Sequence, residues 1–164
     1  MLAKRFLLIA LSVVLILVYG GYACSCTGES RLASSDNLSD AVITLERTLC
    51  YGTCPVYKLT VYGTGDVTWE GKKFVKTVGK AEGAISKEQF KQLVSEFDKA
   101  NYFLLKDNYT QISLTDMPNV FTSITVDGKT KSIKHYRGDN SAPEKLTTLE
   151  TRIDEIVNSD QWIK

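Results

Sequence analysis

Residues 120–136 form two stretches rich in β-branched residues, joined by Asp127-Gly128. Asp-Gly readily adopts the two positive φ angles of a type I′ turn, so the stretches are predicted to pair as a β-hairpin with a two-residue loop. Such a loop sets Val126 opposite Lys129. Because side chains alternate between the two faces of a strand, one face of the hairpin should carry Val120, Ile124, Ile133 and His135.

A second hairpin is indicated upstream. Val56–Tyr62 alternates in the period-2 pattern of a half-buried strand, and Asp66–Glu70 continues it after Gly63-Thr64-Gly65. A three-residue loop with Gly65 at positive φ gathers the apolar side chains on one face. The predicted pairs are Val61–Val67 and Leu59–Trp69. Two further strands are predicted, Val42–Leu49 and Lys73–Val78, the latter with Phe74 and Val78 pointing inward.

Two helices follow from capping boxes and helical spacing of apolar residues. Ser86-Lys-Glu-Gln89 predicts a helix from about Lys87 to Ala100, and Ser141-Ala-Pro-Glu144 predicts one that runs to about Val157. The order of strands, helix, two strands and helix predicts an α+β fold for residues 42–164. We expect an antiparallel sheet of five or six strands with both helices packed on one face. The residues assigned to its core are Tyr57, Leu59, Val61, Trp69, Phe90, Phe97, Ile124 and Leu149.

The start of the chain has the layout of an export segment. Lys4 and Arg5 precede an apolar run at residues 6–18, and small residues then precede Cys24. Residues 1–23 are therefore predicted to be a secretory signal peptide or, if uncleaved, an N-terminal membrane anchor. A third alternative is lipidation of Cys24. Residues 24–41 are polar and read as a flexible tether, so all three alternatives predict export to the periplasm or cell surface, with the domain released or membrane-tethered.

Composition limits the chemistry of the chain. Among 164 residues, 20 Lys and Arg nearly balance 19 Asp and Glu, and there is one His. This balance argues against disorder and against a strongly basic nucleic-acid-binding protein. A single His leaves little scope for acid–base or metal sites.

Four cysteines in an exported chain allow three complete pairings. Cys50 and Cys54 flank a turn that contains Gly52, and a turn can bring two Cα atoms within reach of a disulfide. We predict the Cys50–Cys54 bond, which would persist in an oxidising compartment. For Cys24 and Cys26, a mutual disulfide, a lipid anchor and an intermolecular bond stay open.

The stretch Cys-Tyr-Gly-Thr-Cys-Pro-Val-Tyr-Lys-Leu-Thr-Val-Tyr-Gly at residues 50–63, followed by Val-Thr-Trp-Glu-Gly at 67–71, resembles a bacterial family of exported domains of unknown function. The likeness extends from Ile43 to Ile163. Family members tend to have Gly-Asp-Gly-Thr where this chain has Gly-Thr-Gly-Asp at residues 63–66. The resemblance implies an exported α+β domain and carries over no catalytic residue, substrate or cofactor.

A copper site is the sharper alternative. Cys-x3-Cys-Pro with a distant His is similar to the copper site of thioredoxin-like copper-delivery proteins, and sulfur ligands favour Cu(I). The ligands would be Cys50, Cys54 and His135. Against it, the residues after Pro55 alternate as a strand, whereas the thioredoxin-like motif leads into a helix. The simpler expectation for His135 is a partly buried sheet residue.

No catalytic constellation is apparent in the sequence. No Gly-x-Ser-x-Gly motif accompanies the single His. The pairs Asp154 with Glu155, and Glu150 with Asp154, are expected on the solvated face of the last helix. The basic residues that follow the Asp127-Gly128 turn are expected to discourage sheet-edge aggregation, and these are Lys129, Lys131, Lys134 and Arg137.

Binding is therefore the leading hypothesis. Tyr51 lies inside the predicted disulfide turn, where a rigid loop can present an aromatic ring to a partner. The alternative is that Tyr51 folds over the disulfide and covers the sheet end. The sequence thus predicts a non-catalytic exported binding or structural module without a cofactor, whose partner is an unknown envelope protein or ligand, with copper or thiol-redox chemistry as the alternative function.

Overall fold

The computed structural model describes residues 38–164. The predicted export segment at residues 1–23, the lipidation site Cys24, and Cys26 lie outside the described residues. Ala41, which was assigned to the tether, is buried, and its carbonyl accepts a hydrogen bond from the Gly63 N–H at 2.8 Å. Ala41 is therefore packed against the folded domain.

Within this range the chain forms one seven-stranded sheet and three α-helices. The strands are β1 (Val42–Arg47), β2 (Val56–Tyr62), β3 (Asp66–Lys73), β4 (Gly79–Ala84), β5 (Asn108–Tyr109), β6 (Asn119–Val126) and β7 (Lys129–Tyr136). The helices are α1 (Lys87–Lys99), α2 (Glu144–Val157) and α3 (Asp160–Ile163), and a short 3-10 helix spans Tyr102–Leu104.

The strand order is β4-β3-β2-β1-β6-β7-β5, and neighbouring strands are antiparallel except β5, which runs parallel to β7. The α+β class is confirmed. The finer prediction of a purely antiparallel sheet with five or six strands and two helices is corrected, because β5 makes the sheet mixed and α3 adds a helix. The two-residue β5 was too short to leave a periodic signal.

Both predicted hairpin registers are confirmed. Val61 pairs with Val67 and Leu59 with Trp69, and Gly65 has φ of +100°. In the hairpin of residues 120–136, Val126 faces Lys129, with positive φ at Asp127 and Gly128. Local turn chemistry therefore determines how these strands align.

One face of the sheet carries the core. All eight residues that the sequence assigned to the core are buried, and α1 and α2 supply the apolar side chains that pack against this face. The opposite face is largely solvent-exposed along β2, β3 and β4. An antiparallel sheet that is covered on one side and wetted on the other gives this alternation.

The predicted strand at Lys73–Val78 is wrong. The edge strand is β4, which begins at Gly79, and both Phe74 and Val78 are exposed. Residues 74–78 turn back toward the core instead, because the Trp69 indole N–H donates to the Thr77 carbonyl at 2.9 Å. The N–H groups of residues 76 and 77 also pair with the carbonyls of Ile163 and Trp162, so contacts distant in sequence override the local pattern.

The first helix begins as predicted, since Ser86 and Gln89 form a reciprocal capping box. The second predicted capping box is wrong. Helix α2 begins at Glu144 after Pro143, which makes no side-chain cap. Ser141 is held elsewhere, because its N–H donates to Asp139 at 2.7 Å. No helix within residues 38–164 combines the length and the apolar composition needed to cross a membrane.

Candidate functional site

A row of side chains crosses the buried face of the sheet near the end where β1 finishes. Arg47 on β1 faces Tyr57 on one side and Val120 on the other. Val120 in turn faces His135 on β7. Strand pairing therefore brings a cation, a phenol and an imidazole to one level of the core.

Helix α2 places two carboxylates, one turn apart, over this row. Asp154 accepts hydrogen bonds from Arg47 Nη2 at 2.7 Å and from the Tyr57 hydroxyl at 2.6 Å. Arg47 Nε also donates to the Tyr57 oxygen at 2.9 Å, and Ser159 donates to Asp154 at 2.7 Å. These bonds fasten the last turn of α2 to β1 and β2.

Glu150 makes the second half of the network. Its side chain is 0% exposed, and its two oxygens lie 2.7 Å from His135 Nδ1 and 2.8 Å from Arg137 Nη1. The prediction that Glu150 and Asp154 lie on the solvated face of the helix is therefore wrong. Arg137 was likewise expected to be an edge charge, but it pairs with a buried carboxylate, whereas Glu155 is exposed as predicted.

Burial and charge perturb the groups of this row. Burial raises the pKa of the Tyr57 hydroxyl, and the adjacent Asp154 carboxylate raises it further. Burial alone would lower the pKa of Arg47, but the charge of Asp154, its hydrogen bond to Arg47 and the nearby Tyr57 and Glu150 together raise the pKa. The row thus holds a protonated phenol and a fixed guanidinium at neutral pH.

The network is closed on itself. Within residues 38–164, no buried side-chain nitrogen or oxygen lacks a hydrogen-bond partner. Satisfied networks of this kind specify one packing arrangement of a core. The arrangement is that of a clamp between α2 and the sheet.

The predicted Cys50–Cys54 disulfide is confirmed, with 5.8 Å between the Cα atoms. Both sulfurs of the predicted copper site are therefore bonded to each other, while His135 is only 3% exposed and bonded to Glu150. In the described part of the chain, no three histidine, cysteine or acidic side chains are grouped to hold a metal ion. The structure does not bring the three predicted ligands together as a site.

Tyr51 is 88% exposed, so it does not fold over the disulfide. Its backbone N–H donates to the Asp116 carbonyl at 3.0 Å. The disulfide turn is thereby joined to the loop at residues 110–118, which crosses the same end of the sheet. The turn and this loop form one surface, which we call the loop end.

The 110–118 loop is tightly fastened for its length. The Gly138 carbonyl accepts the N–H groups of Ser113 and Leu114, each at 3.0 Å, and the Pro118 carbonyl accepts the Arg137 N–H at 2.9 Å. A Cβ on Gly138 would lie 2.2 Å from the Leu114 oxygen, so only glycine permits this approach. These contacts fasten the loop end to the chain around residues 137 and 138.

Apolar side chains project from this fastened backbone. Those of the disulfide segment and of the 110–118 loop share high solvent exposure, from 39% to 88%. We refer to them as the loop-end cluster, which consists of Leu49, Tyr51, Ile112, Leu114 and Met117. Exposed apolar side chains concentrated on one end of a domain are typical of interaction surfaces.

Sequence reasoning identified Tyr51 and the disulfide but missed the buried carboxylates and the loop residues. Glu150 left a signal, because it follows Leu146 by four residues and precedes Ile153 by three, which places it beside the apolar stripe. The loop residues left none, since their exposure depends on which side of the loop faces the sheet.

No curated protein matches the sequence. One family model matches residues 41–157, which is more than half of the chain and includes every strand from β1 to β7 and helix α2. The chain therefore belongs to the family described as a domain of unknown function, DUF6438.

Proposed function

We propose that this chain is an exported cell-envelope domain that works as a binding module rather than as an enzyme, and that a protein partner contacts the loop-end cluster. The observation that carries the proposal is Tyr51, 88% exposed on a turn closed by a disulfide. An aromatic side chain on a fixed backbone loses little conformational entropy when it binds, and tyrosine is enriched among interface anchors.

The chemistry of the surface favours a protein partner. Residues 48–55 and 108–118 contain no Lys or Arg and a single acidic residue, Asp116. Anionic membranes and nucleic acids are attracted by basic clusters, which the loop end does not offer. An apolar patch on another protein is the complement of this surface.

Export is the second part of the proposal. It is supported by the basic and apolar residues of positions 4–18 and by the Cys50–Cys54 bond, because structural disulfides persist mainly outside reducing compartments. The copper and thiol-redox alternative needs this bond to open. Alkylation of the chain as isolated from cells, followed by mass spectrometry, should leave Cys50 and Cys54 unmodified, and free thiols at both positions would favour the alternative.

Site-specific photocrosslinking in cells tests the binding surface. A photoreactive amino acid placed at Tyr51 or at Ile112 should give the same discrete crosslinked protein, because both side chains belong to one surface. The matched control is Gln92, which is exposed on α1 away from the loop end. Equal products from all three positions would contradict a specific surface.

The purified partner then provides a quantitative test. Tyr51→Ala should weaken its affinity about tenfold or more, as expected for an anchor residue. Gln92→Ala should leave the affinity unchanged. If Tyr51→Ala binds as tightly as the unaltered chain, Tyr51 is not the anchor and the proposed surface is wrong.

A further inference from the structure

Strand β4 forms one side of the sheet, and its outer edge has no partner strand among residues 38–164. At the other side β5 pairs with part of β7, so the two sides differ. Lys80, Glu82 and Ala84 of β4 are exposed. An unpaired strand edge is a template for pairing with another chain.

The alternation of hydrogen bonds between β3 and β4 determines which residues of β4 point their backbone N–H and C=O groups away from the sheet. The Ile85 N–H donates to the Gly65 carbonyl at 2.9 Å, so these two residues form a hydrogen-bonded antiparallel pair. Such pairs alternate along a ladder, and the register therefore turns the backbone groups of Ala81 and Gly83 toward β3. Those of Lys80 and Glu82 point away from the sheet.

A second copy of β4 can pair with this edge only if outward-facing residues oppose one another. Three central antiparallel registers satisfy this condition. One sets Lys80 against Lys80, another sets Glu82 against Glu82, and the third sets Lys80 against Glu82. Only the third register places opposite charges next to each other. Because the dimer is two-fold symmetric, this Lys80–Glu82 pair occurs twice.

We propose that two copies of this chain pair through β4 in the third register, which joins their sheets into one. Each Lys80–Glu82 pair exchanges two backbone hydrogen bonds, and both side chains lie on the open face of the sheet. Ala81 lies on the two-fold axis opposite its own copy. The small residues Gly79, Ala81 and Gly83 point to the other face and let the two backbones approach.

A simpler role for the charges of β4 would be to prevent pairing with another chain. Charged residues on an edge strand commonly prevent pairing, and a strand with one sign of charge would repel every register. β4 carries one Lys and one Glu two residues apart, which repel in two registers and attract in the third. The pattern therefore selects a register instead of blocking the edge.

Cysteine crosslinking of the full-length chain tests the register directly. Two copies of the Ala81→Cys chain should form a disulfide between their introduced thiols under mild oxidation, because facing non-hydrogen-bonded residues lie about 4.5 Å apart at Cα, within disulfide range. The matched control is Ala84→Cys on the same strand, three residues from the two-fold axis in each copy, which should give no disulfide between its two introduced thiols. Peptide mass spectrometry separates both products from bonds made by the native cysteines.

Charge reversal tests the attraction. In the Ala81→Cys chain, Lys80→Glu should slow formation of the disulfide at position 81 about tenfold, because symmetry converts two opposite-charge pairs into like-charge pairs. Adding Glu82→Lys should restore the rate, although Glu70 of β3 still faces residue 80 within each copy. Absence of the disulfide at position 81, equal crosslinking at position 84, or failure of the double reversal to restore the rate would each overturn the proposal.

Discussion

Replacing Glu150 by alanine should destabilise the fold by about 3 kcal/mol. The substitution removes a carboxylate that is 0% exposed and leaves His135, itself 3% exposed, without its partner at 2.7 Å. Breaking a buried pair by removing one member costs about 3–5 kcal/mol. Arg137 is 29% exposed and can turn to water, so we expect the lower end, about 3 kcal/mol.

Glu150→Gln separates shape from charge. The amide fills the same space and keeps one acceptor, so the loss should fall to about 1–2 kcal/mol. Double-mutant cycles measure how strongly Glu150 interacts with each of its two partners. The cycle of Glu150 with His135 should show a larger interaction energy than the cycle with Arg137, because solvent screens and replaces the partly exposed partner.

Urea unfolding at pH 7, followed by tryptophan fluorescence, measures these losses, since Trp69 and Trp162 are both buried in the folded state. Glu155→Gln is the matched control on the same helix, because Glu155 is exposed. Its effect should stay within about 0.5 kcal/mol. If Glu150→Ala costs less than about 1 kcal/mol, or no more than the control, the carboxylate does not clamp α2 to the sheet.

Three further predictions concern pH, the loop end and the disulfide. Burial raises the pKa of Tyr57 and of Tyr102 in the folded state; their stabilisation is therefore complete below the unfolded value of about 10 and should be lost above it at about 1.4 kcal/mol per pH unit for each tyrosine. Urea unfolding between pH 9 and 11 measures the slope, which Tyr57→Phe should roughly halve. Gly138→Ala should destabilise the domain by about 1–3 kcal/mol by forcing the loop carbonyl away, and unchanged stability would show that the loop can shift freely. Replacing Cys50 and Cys54 by serine should lower the free energy of unfolding by about 2 kcal/mol or less, because the disulfide closes a short loop. The same change should lower the yield of the crosslinked product from position 51 while the domain stays folded.

The parts of the fold that the sequence predicts are those specified by neighbouring residues. Asp127-Gly128 sets its own hairpin register, and Ser86 with Gln89 caps α1 within one turn. Strand β4 escaped prediction because Gly-Lys-Ala-Glu-Gly-Ala offers no apolar alternation. β4 forms because β3 pairs with it along its whole length, and this contact is not part of the local sequence pattern.

The same distinction explains the site. The sequence singled out Tyr51 from its place in the disulfide turn but left open whether its ring is exposed or folds over the sheet end. The burial of Glu150 could not be predicted, because it depends on His135, which strand pairing across β1, β6 and β7 delivers to the same level of the core. Whether a charged residue at the border of a helix's apolar stripe is buried depends on the surface against which the helix packs.

The two proposed surfaces are compatible in one molecule. β4 lies three strands from β1, which is about 14 Å at the usual strand spacing, so pairing at that edge leaves the loop end free. Antiparallel pairing reverses the strand directions of the second copy, and the two loop ends then lie at opposite ends of the joined sheet. A dimer of this kind should bind two partner molecules independently, and it could not direct both Tyr51 side chains toward one flat surface.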